Sequence, residues 1–464
     1  MNRVWKAGVI FVVATFGLCS AAQAPWTIPS NEEIQTLLAE RMQHNGVGVV
    51  VGVIDPAGPR VIVYGSSDAA NGRALDGDTV FQIGSLTKVF TGLLLADMVR
   101  RGEVALDDPA QKYLPAGVKM PQRGRPITLL DLSTHRSGLP SMPTNFRLEA
   151  DPNPVEAYTV DELWQFLGSY ALPREPGEKY EYSNLGVSLL GRLLARRAGM
   201  QYEALLKQRV LKPLGMNNTA ITVNSRMSAR LAPGHSPYLQ PVDSWEMKSL
   251  NASGSLRSTA NDMLKLLGAY VGLQESPLRD AMLLQRTTRY PANGTTAIAW
   301  GAPMIGNEEI YTHEGGKAGY RSAAVFNPRT RTGVVVLQNA RTDDRPTALA
   351  LYLLTGRALP PAPAAPASKK VVKMTSRALA RFAGRYRLGP DEVLTVVAKR
   401  DRLLIGYRDG HEGLEFLAAA ERDFFFNDGN DDITFQVDGG GRVTGLLLYD
   451  DGRAAGNSRV ATRE

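Results

Sequence analysis

Apolar residues recur with two different periods along the chain, and the period predicts where strands and helices lie. The runs 46–55 and 60–64 are rich in valine and isoleucine, and the Pro/Gly turn 55–58 joins them. Two such runs around a turn predict a β-hairpin. Between Ser85 and Gly102 the apolar residues recur with helical spacing, which predicts a central, buried helix.

Helices predominate in the middle of the chain, and strands return in its later part. The predicted elements are helices at 161–171 and 185–198, strands at 309–311, 322–326 and 333–337, and a helix at 347–354. Strands at both ends with helices between them favour an α+β fold. We expect one antiparallel sheet flanked by helices, plus a helical subdomain.

A Pro/Ala-rich stretch at 360–370 separates this part from a C-terminal region with a different residue pattern. Its composition is typical of a semi-rigid, extended linker. Short strands separated by Gly and Asp turns follow, at 386–388, 393–397, 403–407, 424–426, 433–437 and 443–449. Their near-regular spacing predicts a small all-β, barrel-like domain, which we expect to be accessory because it carries no catalytic constellation.

The first residues have the pattern of a secretory signal peptide. Arg3 and Lys6 precede the apolar stretch 9–18, and small residues follow at 20–24. This order predicts export to the periplasm or beyond, with cleavage after Ala22. The apolar stretch is too short to span a bilayer, so we expect no transmembrane anchor in the mature chain.

These patterns divide the chain into four parts. They are a signal peptide at 1–22, a catalytic domain at 23–359, a linker at 360–375 and a β-barrel-like domain at 376–464.

Composition excludes several classes of function. With 44% hydrophobic and 21% charged residues, the chain has the makeup of an ordinary globular protein. Cys19 is the only cysteine and lies in the predicted signal peptide, so disulfides, cysteine nucleophiles and thiolate metal sites are excluded. The residues before Cys19 fit a lipidation motif poorly, and we expect no lipoprotein. The net charge of +7 comes from scattered residues, which argues against nucleic-acid binding.

The spacing Ser85-x-x-Lys88 at the start of the predicted helix is the first candidate for chemistry. Positions i and i+3 share one face of a helix, so the lysine can reach the serine hydroxyl. The free N–H groups at a helix start add partial positive charge beside the nucleophile. The alternative is a helix-capping serine followed by an exposed lysine.

Two later segments offer the remaining parts of an active site. Tyr182 and Asn184 precede an apolar helix, and a tyrosine could accept the serine proton if the nearby ammonium of Lys88 lowered its pKa. The segment 313–316, His-Glu-Gly-Gly, is expected to follow a strand. Its glycines would let a substrate backbone approach closely, and its histidine titrates near neutrality.

Together these segments resemble the serine β-lactamase and penicillin-binding-protein superfamily in its class C-like branch, which includes family VIII carboxylesterases and D-alanyl-D-alanine carboxypeptidases. The family pattern is S-x-x-K, then Y-x-N, then K/H-x-G. The matching residues here are Ser85 and Lys88, Tyr182 and Asn184, and His313 and Gly315. The resemblance spans about residues 46–354 and implies a serine hydrolase without metal or other cofactor.

The resemblance implies a role for each motif. Ser85 would be the acylated nucleophile, and Lys88 and Tyr182 would share the general base and acid steps. Asn184 and the segment 313–315 would bind a small-molecule or peptide substrate.

An oxyanion hole would come from the backbone N–H groups of Ser85 and Gly316.

The sequence argues against two other kinds of hydrolase. It contains neither the G-x-S-x-G motif of α/β-hydrolases nor the H-E-x-x-H motif of zinc hydrolases. For His135 we expect a structural role in a turn.

Glu314 departs from the family pattern, which has a threonine or serine there. An ionised carboxylate has no donor to offer a substrate carboxylate and would repel it, at a cost on the order of 4 kcal/mol if both faced the cleft. We therefore expect carboxylate-bearing substrates to bind less well than in a typical β-lactamase.

Four functions remain open on sequence grounds. The first is an exported hydrolase of β-lactams or D-alanyl peptides, acting through an acyl-enzyme on Ser85. The second is a carboxylesterase with the same residues. Peptide cyclisation or D-aminopeptide transfer and a non-catalytic penicillin-binding scaffold are the others. The oligomeric state is open.

Overall fold

The structure is a computed structural model, and it describes most of the chain outside the N-terminus. The described residues are 26–43, 46–68, 72–148, 154–243, 246–291, 294–342, 345–362, 369–390, 392–407, 413–427, 429, 431–450 and 458–464. The predicted signal peptide and Cys19 lie outside them, as does part of the predicted linker.

Helices of the described residues are short to medium in length. They are α1 Asn31–Met42, α2 Thr87–Arg100, α3 Leu129–Ser133, α4 Pro154–Ala157, α5 Val160–Ser169, α6 Asn184–Arg197, α7 Tyr202–Leu206, α8 Ser225–Ser228, α9 Ala260–Tyr270, α10 Arg279–Thr287, α11 Pro346–Thr355 and α12 Ser376–Ala380. A bilayer crossing takes about 20 apolar residues. No helix in this described set has the length and hydropathy for that.

Strands occur at both ends of the main domain and throughout the C-terminal one. They are β1 Gly48–Asp55, β2 Gly58–Gly65, β3 Phe81–Gln82, β4 Gly234–His235, β5 Pro241–Val242, β6 Arg257–Ser258, β7 Met304–Ile305, β8 Glu308–Glu309, β9 Tyr311–Lys317, β10 Tyr320–Asn327, β11 Thr332–Gln338, β12 Gly384–Gly389, β13 Glu392–Lys399, β14 Arg402–Tyr407, β15 Leu414–Ala418, β16 Asp423–Phe426, β17 Asp432–Val437, β18 Val443–Tyr449 and β19 Ser458–Arg463.

The main sheet joins the two ends of the catalytic part, and the α+β prediction is confirmed. Its five antiparallel strands have the order β2-β1-β11-β10-β9. The predicted hairpin pairs β1 with β2, and Val51 of β1 lies opposite Val336 of β11. Because both faces of the sheet are covered, β1 is an almost continuous run of buried residues.

Helix α2 is the core of the helical part. Every residue from Thr87 to Met98 is buried, as the prediction of a central helix requires. A helix that is buried all round has neighbours on every side. Here α6, α9 and α10 contribute to the same apolar cluster, so the start of α2 is held rigidly where it meets the sheet.

The C-terminal domain is a closed barrel of eight antiparallel strands, β12 to β19. Sequence patterns predicted six of them and missed β15 and β19. β19 has the sequence SRVATR, in which Val460 is 58% exposed and only Ala461 is fully buried. The missed strand thus closes the barrel through backbone pairing with β18 and β12 rather than through an apolar run.

One expected boundary is wrong. The segment 313–316 does not follow a strand but lies inside β9, at the edge of the sheet. Glycines are uncommon in strands because they add no packing, and they mark places where another backbone approaches closely. That approach is the first feature of the site.

Candidate active site

Two glycines bring the edge strand β9 against the turn that carries Ser85. Ser85 lies in a 3-10 turn, Gly84–Leu86, directly before α2. Gly84 has φ +50°, and a Cβ there would lie 2.7 Å from the backbone nitrogen of Gly316. A Cβ on Gly315 would lie 2.1 Å from the carbonyl oxygen of Ile83. Only glycine fits either position, so the motif on β9 is required for the contact with the turn that carries Ser85.

Further hydrogen bonds hold this turn from both sides. The Ser322 hydroxyl of β10 donates to the Ile83 carbonyl at 2.9 Å. The Thr87 hydroxyl donates to the Gly84 carbonyl at 2.7 Å and accepts from the Leu256 N–H at 3.1 Å. Ser85 therefore has a fixed position, with its N–H among the unpaired donors of a helix start.

Lys88 lies on the inner face of α2 with its amine against Ser85. Its Nζ is 3.0 Å from Ser85 Oγ, 2.7 Å from Asn184 Oδ1 and 2.7 Å from the Ser253 carbonyl oxygen. The residue is fully buried. No carboxylate among the described residues forms an ion pair with it. Burial therefore lowers the pKa of Lys88 well below its usual value.

The partners of Lys88 fit a neutral amine. A neutral amine has two N–H donors and one lone pair. The Asn184 and Ser253 oxygens can only accept, and they take the two donors. The third neighbour is the Ser85 hydroxyl, toward which a neutral amine would direct its lone pair and an ammonium a third N–H.

Tyr182 approaches Ser85 from the other side, and its hydroxyl donates to Ser85 Oγ at 2.8 Å. The expectation that Lys88 lowers the pKa of Tyr182 is wrong. Burial of the hydroxyl in the cleft raises that pKa to about 12, although 37% of the residue is exposed, and the Glu314 carboxylate raises it further. Lys88 exerts no lowering effect because its own charge is disfavoured by burial. Tyr182 is thus a neutral donor at neutral pH.

His135 holds the segment that presents Tyr182. It has φ +61° and is 4% exposed, its carbonyl accepts from the Glu181 N–H at 2.7 Å, and its Nδ1 accepts from the Ser183 N–H at 3.1 Å. Its ring lies 4.5 Å from that of Tyr182. Burial lowers the pKa of His135 to about 3, so the ring stays neutral and can accept. The histidine positions the tyrosine from its buried side.

Asn184 is the first residue of α6, and Ser183 caps that helix. The Ser183 Oγ accepts from the Gly186 N–H at 2.8 Å, and its hydroxyl donates to the Pro140 carbonyl at 2.6 Å. The cap aims the Asn184 side chain at Lys88. The position proposed for a substrate contact thus also orients the lysine.

Ser85 lies where two cavities meet. The first cavity, of about 400 Å³, includes Asn184, Met142, Val155 and Lys317 in its lining. The second cavity, of about 520 Å³, is lined by Tyr182, His313, Glu314, Arg321, Arg341, Arg345 and their neighbours. Ser85, Gly316 and Arg341 line both. A substrate spanning both cavities would have its reacting carbonyl at Ser85.

His313 does not titrate near neutrality as expected. Its Nδ1 donates to the Glu314 carbonyl at 2.8 Å. Burial is the main cause that lowers the pKa of His313, to about 4. The ring is therefore neutral at pH 7, with Nε2 as an acceptor, and the residue lines the second cavity.

Glu314 faces the cleft, but its surroundings differ from those assumed on sequence grounds. Its carboxylate accepts from the Thr347 hydroxyl of α11 at 3.0 Å. Three arginines line the same cavity, so positive charge exceeds negative charge there. These guanidinium groups reduce the repulsion expected for a substrate carboxylate.

Sequence reasoning missed two contributors to the site. The Ser253 carbonyl is a backbone group, and no side-chain motif could reveal it. Arg321, Arg341 and Arg345 are scattered over a strand, a loop and the start of α11. Their convergence depends on the pairing of β10 with β11. In the described part of the chain, no cluster of metal-ligating side chains occurs.

Comparison with known proteins decides the family. The model of the family described as Beta-lactamase matches residues 34–357. The chain belongs to the beta-lactamase family. The model described as Domain of unknown function (DUF3471) matches residues 368–458, which include most of the barrel.

Curated relatives agree with the family assignment. The D-alanyl-D-alanine-carboxypeptidase/endopeptidase AmpH of Escherichia coli is 30% identical over 295 residues, which are 59% of this chain and 74% of the relative. A beta-lactamase of Escherichia coli is 31% identical over 206 residues, or 44% of this chain and 51% of that protein.

Solved structures share the fold. A beta-lactamase/D-alanine carboxypeptidase from Yersinia pestis matches with a TM-score of 0.57 and 25% identity, over 67% of this chain and 94% of its own. One from Pseudomonas syringae matches with a TM-score of 0.62 and 21% identity, over 71% and 99%. The predicted family, fold and serine-hydrolase class are confirmed by these matches.

Proposed function

We propose that this protein is an exported serine hydrolase that forms an acyl-enzyme on Ser85 and acts on D-alanyl peptides and β-lactams. The observation that carries the proposal is the three-way contact of Ser85 Oγ with a buried lysine amine and a tyrosine hydroxyl. The carboxypeptidase and beta-lactamase names of the relatives support this substrate class. Export and the domain boundaries are proposed from the sequence patterns alone.

Acylation follows from the protonation states. The neutral Lys88 amine takes the Ser85 proton as Oγ attacks the substrate carbonyl carbon. The oxygen of that carbonyl gains negative charge and is stabilised by the N–H groups of Ser85 and Gly316. The strand β9 places Gly316 beside the nucleophile turn, because Gly84 and Gly315 allow the close approach.

Collapse of the tetrahedral intermediate breaks the bond to the leaving group, which needs a proton if it is an amine. Tyr182 donates to Ser85 Oγ in the resting enzyme, so its hydroxyl is in reach of that leaving group. The proton held by Lys88 then restores the tyrosine hydroxyl. Water repeats the sequence in reverse and releases the acyl group.

The two cavities distinguish a leaving-group side of the cleft from an acyl side. Tyr182 lines only the second cavity, so the leaving group occupies that side. The arginines there suit a leaving group that carries a carboxylate, such as a C-terminal D-alanine. The acyl part of the substrate then occupies the first cavity, beside Asn184.

Replacing Arg345 with glutamine tests the substrate class. We expect kcat/KM for D-alanine release from a D-alanyl-D-alanine peptide to fall about tenfold, since one charge-assisted hydrogen bond contributes about 1.5 kcal/mol. A p-nitrophenyl ester without a carboxylate should be unaffected. Release of D-alanine and of p-nitrophenol measures the two activities, with Ser85→Ala as the inactive reference.

The matched control is Arg226→Gln, because Arg226 is an exposed arginine of α8 that lines neither cavity. It should leave both activities unchanged. If wild type releases no D-alanine while the ester is hydrolysed, the peptidase proposal is wrong. An equal loss of activity on both substrates in Arg345→Gln would instead show that Arg345 does not bind the substrate carboxylate.

Glu314 favours a second candidate, a carboxylesterase of the same fold. A hydroxyl at this position would donate to a substrate carboxylate, and Glu314 cannot. In the variant Glu314→Thr, we expect the rate on a chromogenic cephalosporin to rise about three- to tenfold relative to a p-nitrophenyl ester, because one like charge is removed from an exposed site. An unchanged ratio would show that the arginines already cancel the carboxylate.

A further inference from the structure

We propose that the C-terminal barrel forms one wall of the first cavity and thereby selects substrates whose acyl part is an extended, peptide-like chain. The inference rests on the proposed function only in taking Ser85 as the nucleophile and the first cavity as the acyl side. It assigns the barrel a role in specificity.

The barrel is packed on the catalytic part through a residue of its outer face. Phe424 points into the barrel core, so its neighbour Phe425 points outward. Phe425 is nevertheless fully buried, and its ring lies 5.1 Å from that of Tyr238 in an edge-to-face arrangement. The Tyr238 hydroxyl donates to the Gly429 carbonyl at 3.1 Å. An outward phenylalanine without exposure marks a packed interface rather than a free surface.

The residue that receives the barrel belongs to a hairpin that supports the active site. Tyr238 lies between β4 and β5. The His235 N–H of β4 donates to the Gly319 carbonyl at 3.1 Å, in the turn after β9. A Cβ on Gly234 would lie 2.5 Å from the Ala318 carbonyl oxygen. The barrel therefore contacts a hairpin that is itself packed against the end of the motif strand.

Five residues of the barrel domain line the first cavity, together with Ser85: Gly413, Leu414, Glu415, Phe426 and Asn427. They lie at one end of the barrel, where β15 begins and β16 ends. The Asn427 N–H donates to the Glu415 carbonyl at 2.9 Å, and Phe416 lies opposite Phe426. Two neighbouring strands thus bring these residues together at one rim of the barrel.

The facing wall belongs to the catalytic part and also combines apolar and polar side chains. Met142 and Val155 are apolar, and Lys317 supplies a charge. A cavity of about 400 Å³ with apolar and polar groups on both walls suits a chain of several atoms with amide groups. A short acyl group would leave most of this cavity unfilled. The barrel wall is therefore expected to matter only for long acyl chains.

The test uses the full-length protein and two p-nitrophenyl esters that share one leaving group. One ester carries an acetyl group, and the other carries an N-acetylated dipeptide. The variant Leu414→Trp fills part of the cavity, so kcat/KM for the dipeptidyl ester should fall about tenfold, while acetate release stays within about twofold. Leu414→Ala removes wall contacts and should lower only the dipeptidyl value, by about threefold.

Val437→Trp and Val437→Ala are the matched controls. Val437 packs at the edge of the same barrel core as Leu414 but lines neither cavity. These variants should leave the ratio of the two esters unchanged. Thermal unfolding of each variant shows whether the barrel has folded, and Leu414→Ala decides the question if the tryptophan variant has not.

An unchanged ester ratio in both Leu414 variants, or the same change in the Val437 controls, overturns the inference. These outcomes are separate from those of the proposed function. If the enzyme releases no D-alanine but discriminates the two esters through Leu414, the barrel inference holds and the peptidase proposal is wrong. If it releases D-alanine without this discrimination, the peptidase proposal holds and the barrel inference is wrong.

Discussion

Replacing Lys88 with methionine is expected to lower the rate of acylation by a fluorescent penicillin about 10³-fold, the usual contribution of a general base. Methionine has a similar length and fills the same buried space, so the change removes the amine next to Ser85 Oγ while it keeps the packing. The rate of covalent labelling at Ser85, followed by gel fluorescence and mass spectrometry, measures the effect.

The same variant has a moderate cost in stability. The Asn184 Oδ1 and Ser253 carbonyl oxygens lose the donor that they share, and each unpaired buried acceptor lowers the free energy of unfolding by about 1–3 kcal/mol. Removing a buried amine offsets part of this loss. Thermal unfolding of the variant should therefore still show a folded protein at 25 °C.

Two further variants make the test specific. Lys207→Met changes an exposed lysine and should label like wild type. Lys88→Arg keeps a permanent positive charge but offers no lone pair, so it should be as slow as Lys88→Met. Acylation by the arginine variant at more than a tenth of the wild-type rate would show that the charge, rather than the base, is what the site needs.

Short motifs on continuous elements were predictable, because their chemistry depends on spacing along the chain. The i, i+3 relation of Ser85 and Lys88 on the first turns of α2 is one case, and the β1–β2 hairpin is another. The family followed from the order of three such motifs, and the comparisons confirm it.

Properties that depend on burial and on distant pairing were not predictable. Lys88 and Tyr182 were expected to interact through a charge that burial in fact disfavours, and the pKa of Tyr182 is raised instead of lowered. Gly315 is required within β9 because a Cβ there would collide with the Ile83 carbonyl, a contact that exists only in the folded chain. Arg345, at the start of α11, and Leu414, in the barrel, reach the cleft only through the tertiary arrangement of distant elements.

Replacing Tyr182 with phenylalanine distinguishes the two roles that a tyrosine can have beside Ser85. If Tyr182 is a neutral donor, Tyr182→Phe should slow D-alanine release about 10²-fold, since an amine leaving group needs a proton. Hydrolysis of a p-nitrophenyl ester should slow less than tenfold, because p-nitrophenolate leaves without one. Tyr180→Phe is the matched control, because Tyr180 is also partly exposed and contacts His135 but not Ser85.

The pH dependence of ester hydrolysis distinguishes a neutral lysine base from a tyrosinate base. The active form of Lys88 is the neutral amine, and its pKa is lowered by burial. The rate should therefore fall as the pH drops below that lowered pKa and stay level above it, because Tyr182 keeps its proton up to a pKa of about 12. The fall in rate at low pH (the acid limb) should lie at the same pH in Tyr182→Phe as in wild type. Loss of that limb in Tyr182→Phe, with the limb retained in Tyr180→Phe, would identify the tyrosinate as the base and would return Lys88 to the role of a charged neighbour.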